Sequence, residues 1–297
     1  MTILSNCNLC PRNCCVNRYK KLGYCKSKAK IKLSLVSLHM FEEPFISGTN
    51  GSGTIFFTNC NLRCIFCQNK VIRDGYGKEV TIKRFSEILL EQQLRGAHNI
   101  NLVTPTHYVP LIRKGIIKAK NNGLTIPIIY NTSSYENVST IKLMDNLVDI
   151  YLADLKYYSD KYTLKYSNAK NYFNYAKEAI EEMYKQVGKP IIENDLLKKG
   201  VVVRILLLPG LKEDVKKILK YLYETYQDNI YISIMNQYTP IEKYIYEELN
   251  NKVVEEEYNE VINYACDLGI KNAFIQEGNT QSESFIPNFN LEGILSK

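Results

Sequence analysis

Three closely spaced cysteines are the residues of this 297-residue chain whose types and spacing most directly indicate chemistry. Cys60, Cys64 and Cys67 stand at C-x3-C-x2-C spacing, directly after the apolar and aromatic run 54–57, which is typical of the end of a β-strand. A loop leaving that strand can place three thiolates around one face of an iron–sulfur cube, but it offers no fourth ligand. An iron left open in this way can bind a substrate or cofactor. From these residues alone, a zinc knuckle or a set of buried thiols remains an alternative.

A second set of cysteines lies near the N-terminus, at Cys7, Cys10, Cys14 and Cys25, with Cys15 adjacent to the third. The spacing C-x2-C-x3-C, followed ten residues later by a fourth cysteine, suits a site with four thiolates. Either zinc or an iron–sulfur cluster binds such a site. A segment this short cannot build a hydrophobic core alone, so a metal would stabilise it.

The residues around both sets resemble the radical S-adenosylmethionine (SAM) superfamily. C-x3-C-x2-C with Phe66 before the last cysteine is similar to the signature of that superfamily. Further segments resemble its branch of pyruvate formate-lyase activating enzyme-like proteins, namely Cys-Asn-Leu-Cys-Pro-Arg at 7–12, Glu-Glu-Pro at 42–44 and Cys-Gln-Asn at 67–69. The resemblance runs over nearly the whole chain. Related sequences usually have a small residue, often glycine, at the position of Cys15, so we predict Cys7, Cys10, Cys14 and Cys25 as the ligands.

The resemblance implies an enzyme that reductively cleaves SAM at a 4Fe–4S cluster held by Cys60, Cys64 and Cys67. The amino and carboxylate groups of SAM bind the open iron, and one electron then yields methionine and a 5′-deoxyadenosyl radical. The electron comes from a donor such as flavodoxin or ferredoxin, and the site must exclude oxygen and bulk water, so we expect an anaerobic reaction.

Three hypotheses for the activity follow. The leading one is an activase-like enzyme that abstracts hydrogen from a glycine of a partner protein, which thereby becomes a glycyl-radical protein. The second is modification of a small molecule or peptide. The third, of another class, is a non-catalytic iron–sulfur protein that transfers electrons or senses redox state.

Alternating strands and helices must position these residues, which favours a parallel sheet. Strand candidates are 54–58, 100–104, 126–131, 149–154, 201–207 and 230–236, and helix candidates are 81–96, 108–122, 136–147, 161–187, 212–226 and 254–268. Six strand–helix units are too few for a closed eight-unit barrel. We therefore predict an α/β fold, an open partial (βα)6 radical SAM barrel over 51–297, with a Cys-rich N-terminal metal-binding segment over 1–50.

Reactive groups of parallel α/β folds gather beyond the carboxyl ends of the strands. Many superfamily members have a glycine-rich segment with an acidic residue after the second strand, and this chain lacks it. Thr104 and Thr106 are polar acceptors that can take the SAM amine instead, while His107 is either a site residue or the N-cap of the next helix. The third strand ends in polar residues that include Asn131 and Thr132.

Two later strands carry charged residues near their ends. Asp154 and Lys156 resemble the acid–x–lysine of glycyl-radical activases and point to the same side of a strand, although a plain ion pair is the alternative. Arg204 lies within an apolar run, where an unpaired charge is costly, so we predict that it binds the SAM carboxylate. Ile205 departs from the histidine usual in related sequences. Gln237 is a candidate for adenine or substrate, and we also expect cofactor contacts from Phe66 and Asn69.

Net charge, apolar runs and the number of cysteines indicate which classes of protein this chain resembles least. The net charge of +7 is spread over many lysines without a basic block, which disfavours nucleic-acid binding. No apolar run reaches the roughly 20 residues that span a bilayer, and residues 1–6 do not resemble a signal peptide. We therefore predict a cytoplasmic protein, in which nine cysteines indicate metal or redox chemistry rather than disulfides. Cys266 is predicted to be a core thiol of an amphipathic helix.

Overall fold

The computed structural model describes residues 2–278, 280–282 and 286–295. Its strands are β1 (Ile31–His39), β2 (Ser52–Phe57), β3 (Lys78–Val80), β4 (Ile100–Val103), β5 (Ile128–Thr132), β6 (Ile150–Asp154), β7 (Ile191–Glu193), β8 (Leu196–Leu206), β9 (Tyr231–Met235) and β10 (Ala273–Ile275). Its α-helices are α1 (Pro44–Ser47), α2 (Lys70–Arg73), α3 (Ile82–Leu94), α4 (Val109–Asn121), α5 (Val138–Lys142), α6 (Asp160–Ser167), α7 (Tyr172–Val187), α8 (Lys212–Tyr226) and α9 (Glu255–Leu268).

The strands form one open sheet in the order β10-β9-β8-β6-β5-β4-β2-β1-β3, and β7 pairs only with β8. Strands β2, β4, β5, β6, β8, β9 and β10 run parallel, whereas β1 is antiparallel to both β2 and β3. The prediction of an open partial α/β barrel is confirmed. The six predicted strands correspond to β2, β4, β5, β6, β8 and β9, and β10 adds a seventh parallel strand that the sequence analysis did not predict.

The two faces of the sheet have different surroundings because successive side chains of a strand point to opposite sides. The outer face is apolar and belongs to one large core with helices α3, α4, α7 and α8. The inner face is apolar near the strand starts, where it packs against α1 through Phe45, Ile46, Ile129, Ile150, Leu152 and Val202. Two residues further along three of these strands, the inner face carries Asn131, Asp154 and Arg204. Asp154 and Arg204, two charged residues of this face, thus lie at its carboxyl end.

The predicted helix over 161–187 is in fact two helices, α6 and α7. Asn168 and Asn171 lie between them with φ of 45° and 52°, a left-handed conformation that asparagine tolerates and that ends a helix. The predicted strand over 201–207 starts earlier because β7 and β8 form a hairpin through Asn194 and Asp195. Both turn residues have positive φ, 51° and 60°, as a two-residue hairpin turn of type I′ requires.

The N-terminal segment is joined to the sheet, because β1 pairs with β2 from Leu33–Phe57 to His39–Ser52. The division at residues 50 and 51 stays a prediction. Before β1 the chain forms a short 3₁₀ helix (Ile3–Ser5) followed by loops. These loops lie against the start of α5, where Asn137 and Thr140 donate to the carbonyl oxygens of Asn8 and Leu9.

Two further observations concern Cys266 and membrane-spanning helices. Cys266 is exposed on α9, so its prediction as a core thiol is wrong; Ala265 is the buried neighbour. In the part of the chain that the structure describes, no helix is both long and apolar enough to span a membrane.

Candidate active site

A cavity of about 400 Å³ opens at the carboxyl ends of the parallel strands. Twelve of the residues predicted for the cofactor site from the sequence line it: Cys60, Cys64, Phe66, Cys67, Asn69, Thr104, Asn131, Thr132, Asp154, Lys156, Arg204 and Gln237. Thr106 is the exception. The cavity therefore brings together cysteines from one loop and polar side chains from five different strands or strand ends.

The cysteine loop follows β2 and turns sharply. Asn59 and Arg63 have φ of 71° and 57°, and the side chain of Leu62 between them is fully buried in the core. Hydrogen bonds reach two of the sulfurs: the Leu62 N–H donates to Cys60 Sγ at 3.4 Å, and Ser167 Oγ donates to Cys64 Sγ at 3.1 Å. The turn of the loop thus leaves two of its three sulfur atoms with a hydrogen-bond donor.

The chemistry of this donor set fits an iron–sulfur cluster. Burial raises the pKa of Cys60, and burial together with the neighbouring thiols raises the pKa of Cys67 to about 12. Thiolates here need a compensating cation, which iron supplies. N–H and O–H donors to the sulfurs are typical of such clusters and tune their potential.

A group of charged and polar side chains lies on the inner face of the sheet. The Arg204 guanidinium donates to Asp154 Oδ1 at 2.9 Å, to Glu42 Oε2 at 2.9 Å and to Asn131 Oδ1 at 2.6 Å. The Lys156 ammonium donates to the other oxygen of Asp154 at 2.8 Å. Each terminal nitrogen of Arg204 keeps one further N–H, so the guanidinium can still bind an incoming anion.

Electrostatics keep these groups charged. Burial alone would raise the pKa of Asp154, but Arg204 and Lys156 more than offset it and lower the pKa below its ordinary value. Burial opposes the charge of Arg204, yet the carboxylates of Asp154 and Glu42 raise its pKa. Glu43 differs, because burial raises its pKa although the positive charge of Arg204 opposes the shift. The raised pKa favours the neutral acid.

Glu42 is a functional candidate that the sequence analysis did not assign to the site. It comes from the segment between β1 and α1, and Asn101 Nδ2 donates to its second oxygen at 2.8 Å. Pro44 begins α1 and the two preceding glutamates turn towards the inner face of the sheet, where both line the cavity. The Glu-Glu-Pro sequence was a signal for this position, but only the fold pairs it with Arg204.

The segment after β4 departs from its prediction. Thr104 lines the cavity with φ of 61°, a costly conformation for a β-branched residue and one that clusters at functional sites. Thr106 instead donates to Glu136 Oε1 at 2.6 Å, as does Thr132 at 2.6 Å, so both hydroxyls are already bound to a buried carboxyl group. His107 is also buried away from the cavity, with Nε2 bonded to the carbonyl oxygen of Thr58.

The C-terminal part of the chain closes one side of the cavity. Phe274, Ile275 and Ile286 line it, and Gln276 Nε2 donates to Gln237 Oε1 at 2.9 Å. Sequence reasoning missed this wall because residues 273–287 carry no motif, and β10 has only three residues.

The N-terminal cysteines form a separate group. Cys7, Cys10 and Cys25 are buried and Cys14 is half-buried. A Cβ atom placed on Gly23 would lie 3.6 Å from the sulfurs of both Cys14 and Cys25, so these sulfurs lie on the same side of the loop. Cys15 is exposed with φ of 51°, which explains why glycine suits this position. Within the described residues, no three His, Cys, Asp or Glu side chains are arranged to hold a single metal ion.

Comparison with known proteins gives one family. A sequence model of the radical SAM superfamily matches residues 54–222, more than half of the chain. The uncharacterized protein MJ0674 of Methanocaldococcus jannaschii is 29% identical over 277 residues, which are 89% of this chain and 75% of that protein.

Solved structures share the fold at low sequence identity. Streptococcus suis SuiB bound to precursor peptide SuiA is 16% identical, with a TM-score of 0.50 over 74% of this chain and 47% of SuiB. A radical SAM methyltransferase from Sphaerobacter thermophilus is 14% identical, with a TM-score of 0.51 over 74% of this chain and 66% of the methyltransferase. The chain thus spans about half the length of SuiB and somewhat less than two thirds of the methyltransferase.

Proposed function

Since the chain belongs to the radical SAM superfamily, we propose that it cleaves SAM and abstracts a hydrogen atom from a glycine of a partner protein. Membership of the superfamily implies a 4Fe–4S cluster and SAM as cofactors. One observation carries the proposal: the thiols of Cys60, Cys64 and Cys67 line the same cavity as the Arg204–Asp154–Lys156 group.

Different residues of the chain would bind the cluster and the separate groups of SAM. Cys60, Cys64 and Cys67 would hold the cluster, which together with bound SAM supplies a 5′-deoxyadenosyl radical as the hydrogen acceptor. The remaining N–H groups of Arg204 can bind the SAM carboxylate, because guanidinium matches carboxylate geometry. Thr104 and Asp154 offer acceptors for the SAM amine, and Asn69 and Gln237 offer amide groups for the adenine or the substrate.

The size of the cavity favours an extended substrate segment. A volume of about 400 Å³ is at the small end for ligand sites, so SAM would fill much of it. A protein substrate would then enter as a strand or loop along the apolar wall of Phe274, Ile275 and Ile286. Glycine has no side chain and allows its backbone the closest approach, which supports a glycine Cα as the hydrogen donor.

An electron donor must complete the reaction, and we propose a flavodoxin or ferredoxin. The formal charge of +7 would favour encounter with an acidic donor protein. A second candidate function is hydrogen abstraction from a free peptide. It is supported by the fold shared with SuiB, whose structure contains a precursor peptide.

Product analysis under strictly anaerobic conditions tests the proposal. Reconstituted protein with dithionite and SAM should form 5′-deoxyadenosine, whereas the triple variant Cys60→Ala/Cys64→Ala/Cys67→Ala should form none. Cys15→Ser is the matched control and should behave as the wild type. Equal product from the triple variant would refute SAM cleavage at this loop.

Isotope transfer then identifies the substrate class. Deuterium from glycine-labelled partner protein should appear in 5′-deoxyadenosine. Transfer from a labelled free peptide, but not from any glycyl-radical protein, would favour the second candidate.

A further inference from the structure

Arg12 connects the two cysteine sets. Its side chain reaches from the loop between Cys10 and Cys14 to the loop between Cys60 and Cys64. There Nε donates to the Asn61 carbonyl oxygen at 2.9 Å, and Nη2 donates to that of Leu62 at 3.1 Å. Arg12 thus holds the backbone between two proposed ligands of the first cluster.

The same guanidinium also fixes a hydrogen-bond donor of that cluster site. Nη2 donates to the Ser167 carbonyl oxygen at 2.9 Å, and the Ser167 hydroxyl donates to Cys64 Sγ. Nη1 donates to the carbonyl oxygen of Asn168. Every one of these acceptors is a backbone carbonyl, so the position of Arg12 sets the position of main chain rather than of flexible side chains.

Two aromatic rings, one of them from the N-terminal segment, pack against Arg12. Its guanidinium carbon lies 3.9 Å from the ring centre of Tyr24 and 5.1 Å from that of Tyr135, distances at which cation–π attraction operates. Tyr24 precedes Cys25, and its N–H donates to Cys14 Sγ at 3.2 Å. The ring that holds Arg12 therefore belongs to the backbone that surrounds the N-terminal sulfurs.

Arg18 supplies an independent sign of negative charge in the N-terminal loop. It is fully buried, and its guanidinium donates only to the carbonyl oxygens of Ser27, Lys28 and His107. It forms no ion pair with a carboxylate in the ranges that the structure describes. A buried cation needs a counter-charge, and Arg18 lies within electrostatic range of the Cys25 sulfur.

We propose that Cys7, Cys10, Cys14 and Cys25 hold a second iron–sulfur cluster, and that Arg12 couples this site to the loop of Cys60, Cys64 and Cys67. Four thiolates with a cluster carry the negative charge that Arg18 requires. Only the coupling rests on the proposed function; the second cluster is a property of the N-terminal loops alone.

The connection through Arg12 to a loop whose family uses a cluster favours an iron–sulfur cluster over zinc. A single zinc ion would draw four sulfurs to about 2.3 Å from one centre. A cluster would instead bind each thiolate to a different iron.

Metal analysis of two complementary variants tests the second cluster. Anaerobically reconstituted wild type should contain about eight irons and eight sulfides, and Cys60→Ala/Cys64→Ala/Cys67→Ala should keep about four of each. Cys7→Ala/Cys10→Ala should also keep about four, and Cys15→Ser should match the wild type. A triple variant without iron, or one holding zinc instead, would overturn the proposal. Because the triple variant leaves the N-terminal loops intact, this result does not depend on the double variant folding or on SAM cleavage.

The coupling is tested on Arg12. Arg12→Ala should keep the second cluster but change the electron paramagnetic resonance spectrum of the first, with at least a tenfold change in its reduced fraction at fixed potential. Arg12→Lys should restore part of this change because an ammonium still donates to one or two of the carbonyls. Arg113→Ala is the control, since Arg113 is an exposed arginine that donates to a single carbonyl oxygen, that of Leu143. An unchanged spectrum and potential in Arg12→Ala would refute the coupling.

Discussion

Arg204 Nη1 donates to Glu42 Oε2 at 2.9 Å, which joins β8 to the segment between β1 and α1. Both side chains are largely buried, with exposed fractions of 13% and 9%. The carboxylate of Glu42 therefore occupies one edge of the guanidinium that we propose binds the carboxylate of SAM. SAM would bind the remaining N–H groups, so the negative charge of Glu42 opposes the SAM carboxylate from a neighbouring edge, and this effect can be measured.

Substitutions at the two residues should have opposite effects on SAM affinity. Glu42→Gln removes the opposing negative charge and should tighten SAM binding. Arg204→Lys loses the planar guanidinium fork and should weaken binding about tenfold, or about 1.4 kcal/mol. Anaerobic calorimetry with reconstituted protein provides the measurement. Glu79→Gln, at an exposed glutamate paired with Lys30, is the control. If Glu42→Gln weakened binding as much as Arg204→Lys, Glu42 would be a ligand of the cofactor rather than an opposing charge.

Ser167 should tune the cluster through its bond to Cys64. Ser167→Ala removes the hydroxyl that lies 3.1 Å from Cys64 Sγ. A hydrogen bond to sulfur stabilises the more negative, reduced state, so its loss should lower the midpoint potential by about 50 mV, on the order of 1 kcal/mol. A redox titration followed by electron paramagnetic resonance measures the shift. Ser34→Ala is the control, because Ser34 is buried in β1 and its hydroxyl has no partner among the described residues. Equal shifts in both variants would contradict a specific role of Ser167.

The alternation of strands and helices and the position of the cavity at the carboxyl ends of the strands follow from local sequence patterns. The apolar run before Cys60 and the polar residues after later strands both have short-range signals, and parallel strands bring their carboxyl ends to one edge. The pairing of Arg204 with Glu42 could not be predicted, since it depends on an antiparallel β1 and on α1 covering the inner face. Two carboxylates that precede a proline are compatible with a solvent-exposed turn as well.

Other differences between the sequence predictions and the structure arise where one local sequence is compatible with two structures and tertiary contacts select one of them. Thr106 and Thr132 are polar residues after strands, as expected for cofactor ligands, but Glu136 folds back and takes both hydroxyls. The break between α6 and α7 needed left-handed Asn168 and Asn171, and asparagine is only weakly diagnostic of that conformation. The hairpin at Asn194 and Asp195 had a recognisable turn signal that sequence analysis did not use.

Gly115 should be required for the packing of α3 against α4. A Cβ atom at this position would lie 2.3 Å from Cδ1 of the buried Phe85. Alanine gains about 1 kcal/mol in helix propensity, but we expect the clash to outweigh it and Gly115→Ala to destabilise the fold by about 1–2 kcal/mol net. Urea unfolding measures the change. Lys118→Ala, on the exposed side of the same helix, should be neutral or slightly stabilising. The double variant Gly115→Ala/Phe85→Leu should recover part of the loss, and additive losses would contradict a direct clash.

Glu136 should make the stability of the protein depend on pH. Its carboxyl group is fully buried, and this burial raises its pKa from an ordinary 4.5 to about 7, although hydrogen bonds from Thr106, Thr132 and Tyr130 oppose the shift. Between these two values the folded protein binds more protons at Glu136 than the unfolded chain does. The free energy of unfolding should therefore fall as pH rises through this window, by up to about 3 kcal/mol, and level off above it.

The variant Glu136→Gln isolates this effect. Glutamine resembles the protonated carboxyl and still accepts from the three hydroxyl groups, so the difference in unfolding free energy between variant and wild type should grow from about pH 5 to pH 7. At pH 8 the variant should be the more stable protein. Chemical unfolding of both proteins at several pH values gives the difference, and Glu224→Gln, at an exposed residue of α8, should follow the wild type. A difference between Glu136→Gln and wild type that stays constant with pH would mean that Glu136 is ionised throughout and that its buried charge is compensated by another group.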